Sequence, residues 1–275
     1  MKTPLSVLAC TLAAVAAVQA ARAPEAWDDI SFFGDFAFTS EYIFRGYQQT
    51  GPAFQQSLEI GYPVYFGNVY VGAFANEPVA QAGQTSEVDF YGGYAVGLLK
   101  NALHLDFGQI YYWYPEGNHN APVSGVPAGY LRGYNASTET YVGLCGDTSQ
   151  LIDGVNLNPS LYYYYDWMCD KQTVETSIYY TWEVGRLVSV EGLTLTPRLY
   201  TGYETAAKPF GNVSTPQTRG SAVYYGTHLV LDYKLNTHVS LYADFFFAGN
   251  YATNADPDRT HNQFLGGQVG VRFGL

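Results

Sequence analysis

The chain has 275 residues and a formal net charge of −11, from 13 Lys+Arg against 24 Asp+Glu. Only 13% of residues are charged, 17% are aromatic, and Tyr and Gly number 26 and 29. That balance excludes a disordered chain, which is poor in apolar residues, and a nucleic-acid binder, which needs clustered Lys/Arg; three Cys cannot staple a scaffold of this size.

Met1–Ala20 carries Lys2, then the apolar stretch Leu5–Val18, then the small-x-small site Val18-Gln19-Ala20. This is the layout of a secretory signal peptide, residues 1–20, with an alternative cleavage after residue 23. Residues 21–31 read as a short periplasmic segment and 32–275 as one domain. No later run of about 18 apolar residues occurs, so no helix spans a membrane. An exported chain of this kind is either soluble or a closed membrane barrel.

From Phe33 on, segments of about ten residues alternate apolar and polar, separated by Gly, Asn, Pro and Asp. Twelve can be marked: Phe33–Tyr47, Phe54–Phe66, Val69–Asn76, Thr85–Leu98, Leu103–Tyr114, Glu139–Cys145, Leu157–Trp167, Thr173–Gly185, Leu193–Glu204, Ser221–Leu235, His238–Ala248 and Gln263–Leu275. Gly67-Asn68, Lys100-Asn101, Val190-Glu191-Gly192 and Asn236-Thr237 read as tight turns. Glu77–Gln84, Pro115–Thr138, Thr205–Gly220 and Gly249–Asn262 read as longer outer loops, and Gly146–Asn156 as a longish connector on the short-turn side. Pro115–Thr138, the longest, is the best candidate to fold over the mouth.

Successive strand residues point to opposite faces. In the first segment Phe36, Phe38, Tyr42 and Phe44 oppose Asp35, Thr39, Glu41 and Arg45; in the tenth, Val223, Tyr225, Leu229, Leu231 and Tyr233 oppose His228, Asp232 and Lys234. Aromatics crowd the segment ends, as in Tyr111–Tyr114, Tyr162–Tyr165 with Trp167, and Phe245–Phe247, which suits rings at headgroup level. Several segments run longer than the typical 5–6 residues of soluble strands. The expected fold is an all-β, transmembrane up-and-down antiparallel β-barrel of about 12 strands, with short periplasmic turns and longer outer loops.

The stretch Phe36–Thr50 holds Ser40-x-Tyr42-x-x-Arg45-Gly46. It resembles the opening strand of the TorF-type porin family, also known as Gcw-chp outer-membrane proteins. Pro52–Glu59, Ser86–Tyr94, Leu105–Pro115 and Thr138–Leu144 are similar to further blocks of that family. The order holds from about Phe32 to Trp167, and more loosely to the end. Cys145–Asn156 looks like an insertion, and Leu275 stands where such barrels usually end in Phe. The resemblance implies an outer-membrane barrel of porin type; it supplies no catalytic residue, cofactor or established substrate.

By parity the inner face holds Asp35, Glu41, Glu59, Glu87, Asp89, Asp106, Glu175, Glu183, Asp232 and Asp244, against Arg45, Arg198, Lys234 and Arg272, with His104 and His228 as additions. Arg45 would meet Glu41, Glu59, Glu87 or Asp89 in a bracing network, and the acidic excess would favour cations. The five His are scattered, and no His-x-x-x-His, Gly-x-Ser-x-Gly or Cys-x-x-Cys motif occurs, so neither enzyme, metal nor cofactor is expected. His119 and His261 read as solvated loop residues. Cys145 at a periplasmic strand end and Cys169 in an outer loop are too far apart to bridge. The reading that follows is a bacterial outer-membrane channel for small hydrophilic solutes, in contact with lipid. The alternating strand Val269–Leu275 would be read by the barrel-assembly machinery. A plugged structural or surface-interaction barrel is the alternative, and a membrane-embedded hydrolase a third.

Overall fold

A computed structural model describes residues 30–79, 86–99, 102–115, 136–150, 157–168, 170–206, 221–252 and 262–275. Twelve antiparallel strands close into a barrel: β1 (Ser31–Thr39), β4 (Ala53–Val64), β5 (Gly67–Pro78), β6 (Glu87–Leu98), β7 (Leu103–Trp113), β8 (Ala136–Gly146), β9 (Leu157–Asp166), β10 (Lys171–Tyr180), β11 (Leu193–Ala206), β12 (Ser221–Lys234), β13 (Val239–Ala252) and β14 (Asn262–Gly274). Each pairs with its neighbours in chain order, and β14 returns to β1 from Phe33↔Gly274 to Thr39↔Gln268. Closure leaves no edge of the barrel wall unpaired, as hydrocarbon requires. No described helix is long and apolar enough to cross a membrane. The signal peptide, Cys169, His119, His261 and nearly all of Pro115–Thr138 lie outside the described residues.

The alternation resolves into two faces. Phe36, Leu58, Val71, Phe107, Val142, Leu161, Leu199, Leu229 and Leu241 all point outward and are exposed. Their neighbours Asp35, Ser57, Tyr70, Asp106, Tyr141, Tyr162, Arg198, His228 and Tyr242 are buried inside. Water would not tolerate such a continuous apolar exterior; lipid does. Trp113, Trp167 and Trp182 lie at or just beyond strand ends and face out, in the interfacial position indoles favour.

Glycine and tyrosine occupy the inner wall together. Tyr91 lies against Gly72, Tyr70 against Gly93, Tyr141 against Gly108, Tyr162 against Gly143, Tyr224 against Gly202, Tyr200 against Gly226 and Tyr242 against Gly270. Each is a directly opposed cross-strand pair. The missing side chain of one strand gives the flat ring of the next a place to lie, so the ring fills a gap that glycine alone would leave unpacked.

Three sequence expectations need correction. The first segment does not run to Tyr47. Thr39 ends β1 by turning its hydroxyl onto the Glu41 carbonyl at 2.6 Å, a local bond that competes with the ladder. Residues 42–50 then form a separate hairpin of β2 (Tyr42–Phe44) and β3 (Tyr47–Thr50), bulged between Tyr42 and Ile43. Its two-residue turn is Arg45-Gly46, both at positive φ (49° and 75°), the combination that suits hairpin twist. The second correction is Gly67-Asn68, which lies within β5; the turn is Tyr65-Phe66. The third is the eighth segment: β10 stops at Tyr180, and a short helix α1 (Gly185–Val188) precedes the Gly192 turn.

Candidate functional site

The interior is the site, and the hairpin is its most unusual part. Thr39 of β1 pairs directly with Ala53 of β4, so residues 40–52 are an excursion that the barrel wall does not need. They fold inward. Tyr42 packs on Phe74 of β5 with ring centroids 5.8 Å apart, and Phe44 on Tyr112 of β7 at 6.2 Å. Ile43 joins Phe246 and Ala248 of β13 in an apolar cluster. Asn250 donates to the Gly46 carbonyl at 2.6 Å. The hairpin thus touches walls on several sides of the lumen, near the ends of the strands that carry the longer loops.

Arg45 crosses to the far wall. Its Nη1 and Nη2 donate to Oε1 and Oε2 of Glu139 at 2.7 and 2.9 Å, a bidentate pair, with both side chains almost wholly buried. Tyr112 donates its hydroxyl to the same carboxylate at 2.9 Å, and Lys171 Nζ lies 3.6 Å from it. The guanidinium sits against the Phe44 and Tyr164 rings at 4.7 and 4.5 Å. The partner of Arg45 is therefore none of Glu41, Glu59, Glu87 or Asp89. Parity along one strand could not find it, because the contact spans the lumen from a turn. Glu139 stood at the very start of its segment; its place on the face of Tyr141, opposite Val142, was the available signal.

The remaining inner carboxylates are met mainly by tyrosine hydroxyls. Asp106 accepts from Tyr70 at 2.6 Å and Tyr162 at 2.9 Å, and Tyr70 also meets the Tyr141 hydroxyl. Cys145 Sγ lies 3.0 Å from the Tyr162 hydroxyl and is a free thiol. Glu59 is held by Tyr91. Glu87 accepts from Tyr114 at 3.1 Å and is also reached by Tyr42 of the hairpin. Its neighbour Asp89 is buried with Oδ1 unpartnered. Glu175 accepts from Tyr224 at 2.8 Å and lies 3.8 Å from Arg198, whose guanidinium is 5.7 Å from the Tyr200 ring.

Nearer the opposite end of the lumen, Arg272 is bracketed by Asp35 at 3.0 Å and Asp232 at 3.3 Å and stacks 3.7 Å from the Tyr242 ring. Tyr242 donates to Asp35 at 2.9 Å. His228 Nδ1 lies 2.8 Å from Asp244 Oδ2, with Tyr200 and Phe246 as its ring neighbours.

Two residues expected inside are elsewhere. Glu183 lies beyond the end of β10 and is exposed, because the strand ends earlier than its alternation suggested. Glu41 lies in the link into the hairpin, half-buried, and burial raises its carboxyl pKa. Sequence reading passed over Lys171, Asp166 and Glu204, which all face inward near strand ends. Among the described residues ten carboxylates and three arginines are buried. No group of three or more His, Cys, Asp or Glu among them could hold a metal ion.

The chain is similar to several solved barrels. These include KdgM porin (13% identity, TM-score 0.46, covering 88% of this chain and 98% of that one) and a loop-deleted OmpT, an outer membrane protein of Vibrio cholerae (10%, 0.39, 90% and 99%). Pseudomonas aeruginosa OpdQ is another (10%, 0.35, 90% and 97%). No curated protein matches the sequence. The family model described as "Bacterial protein of unknown function (Gcw_chp)" matches residues 23–145. Over that part, from the segment before β1 to near the end of β8, the chain is similar to that family.

Proposed function

We propose that the protein is an outer-membrane channel for passive passage of small hydrophilic solutes, with a lumen that favours cations. The observation that carries this reading is the inner face. Its buried carboxylates outnumber its buried arginines, and Asp89 and Asp244 each keep one oxygen without a partner. A charge inside a lipid-embedded barrel is tolerable only with water or partners, and an excess of one sign attracts the other. The apolar exterior and the export signal support placement in a bacterial outer membrane. The strand Val269–Leu275 would serve recognition by the assembly machinery.

The depth of burial favours a second reading. Tyr224, Glu139 and Thr173 are 0–1% exposed, and Tyr70 and Tyr141 are 2% exposed. A wide water-filled bore would expose such side chains; these fill the space instead, as in small barrels. A plugged, structural or surface-interaction barrel would look alike. Conductance in planar bilayers with a salt gradient separates the two. A cation-selective reversal potential supports the channel; silence supports the plug, and anion selectivity removes the cation preference.

A further inference from the structure

The wall around the Arg45 side chain is built without the hairpin. Glu139 on β8, Tyr112 on β7 and Tyr164 on β9 come from three adjacent strands. They supply a carboxylate fork, a hydroxyl that holds one of its oxygens, and a ring face 4.5 Å from the guanidinium. The Tyr164 hydroxyl beside it is buried and has no hydrogen-bond partner. The occupant, by contrast, is carried by an excursion that leaves the wall at the Thr39↔Ala53 pair and returns there. Arg45 holds a positive φ, which disfavours a side chain. A planar cation in a cleft built by the wall, delivered on an arm that is not part of the wall, is the geometry of a tethered ligand.

We infer that the Glu139–Tyr112–Tyr164 cleft is a binding site for guanidinium-bearing solutes, and that Arg45 is its tethered occupant, which such a solute displaces to free the hairpin. The inference rests on the channel reading and names its substrate class. Guanidinium suits the cleft better than ammonium. It offers two parallel N–H groups to a carboxylate and a flat face to a ring, where ammonium offers a point charge. The tether gives Arg45 an effective concentration of about millimolar or more, so a free solute must match that to compete.

The test uses methylguanidinium, the truncated end of an arginine side chain. Arg45→Ala empties the cleft and leaves Glu139 buried with the Tyr112 hydroxyl and with Lys171 at 3.6 Å. Methylguanidinium should raise the melting temperature of Arg45→Ala in detergent. It should do nothing for Arg45→Ala/Glu139→Gln, and methylammonium should act at least about tenfold more weakly. In the unaltered protein, methylguanidinium at about 100 mM, above the concentration a short tether supplies, should speed amide exchange of residues 42–50 severalfold. The barrel strands should remain protected. If Arg45→Ala does not fold, Arg45→Lys keeps a cation in place without the fork, and its hairpin should loosen at lower methylguanidinium than that of the parent. Absence of rescue in Arg45→Ala, equal rescue by methylammonium, or unchanged hairpin exchange in the parent would each overturn the inference. Bilayer recordings separate this from the broader reading. Cation conductance without methylguanidinium binding sinks the binding site alone, and binding with no conductance in any variant sinks the channel alone.

Discussion

Two glycines three residues apart on β14 offer a test of the interlocked interior. A Cβ added at Gly270 would lie 2.6 Å from the Phe36 carbonyl oxygen and 2.7 and 2.8 Å from Cε1 and Cζ of the Tyr242 ring. The carbonyl belongs to the ladder between β1 and β14 and cannot retreat. The strand must therefore shift to clear the carbonyl, and the ring must move by about 1 Å to reach the 3.5–4.0 Å at which carbon atoms rest. That ring donates to Asp35 at 2.9 Å and carries Arg272 at 3.7 Å. Overpacking costs about 1–3 kcal/mol, a hydrogen bond to a charged group is worth about 1.5–3, and replacing glycine in a strand returns about 0.5–1. Since the contacts share one ring, they do not add in full, and Gly270→Ala should destabilise by about 2–4 kcal/mol. At Gly267 the same Cβ would meet the Asp244 carbonyl oxygen at 3.5 Å and Phe245 Cδ1 at 3.9 Å, both ordinary contacts. Gly267→Ala should be neutral or slightly stabilising. Urea unfolding from lipid vesicles, followed by Trp fluorescence, measures both. Equal stability of the two variants would refute the claim that tyrosine rings lie locked against inner glycines.

Arg272→Met should cost about 3–5 kcal/mol in the same assay, because Asp35 and Asp232 would remain buried without their shared cation. Leu229→Lys, on the exterior near the middle of β12, should cost about 2–4 kcal/mol in vesicles, and a value near zero would mean that water rather than lipid meets that face. Asp89→Asn, which removes a buried carboxylate without removing a bonded cation, should lower cation selectivity in bilayers; an unchanged reversal potential would place Asp89 off the path. A mass map without reductant should find Cys145 unbridged, and a Cys145–Cys169 peptide would contradict the placement of Cys145 near the end of β8 opposite the longer loops.

The strand count and the two faces were legible because period-two patterning survives in every segment, and lipid outside demands it. The hairpin was not. Alternation continues through Tyr42 and Phe44, so nothing in the pattern up to the turn separates a wall strand from a ribbon folded inside. Only Arg45-Gly46, a turn dipeptide with the wrong first residue for its type, marks the reversal. The same limit explains Arg45 itself. Its inward placement was readable, but its partner lies 94 residues away across the lumen, and a contact of that kind leaves no local trace. Glu183 failed for the opposite reason: its alternation with Trp182 and Val184 is regular, yet the ladder ends at Tyr180. The tyrosine–glycine interlocks sit in the composition as two unexplained excesses, and register is needed to show that they are one feature.

The seam where β14 meets β1 has a consequence for biogenesis. Its pairing couples Phe33 with Gly274, nearly the whole span of the described residues. Until those final residues arrive, the growing ribbon has two raw borders and no legal position in hydrocarbon. Closure of the wall thus depends on a pairing between strands far apart in sequence, the kind that forms slowly, and the sheet suits hydrocarbon only once that pairing is made.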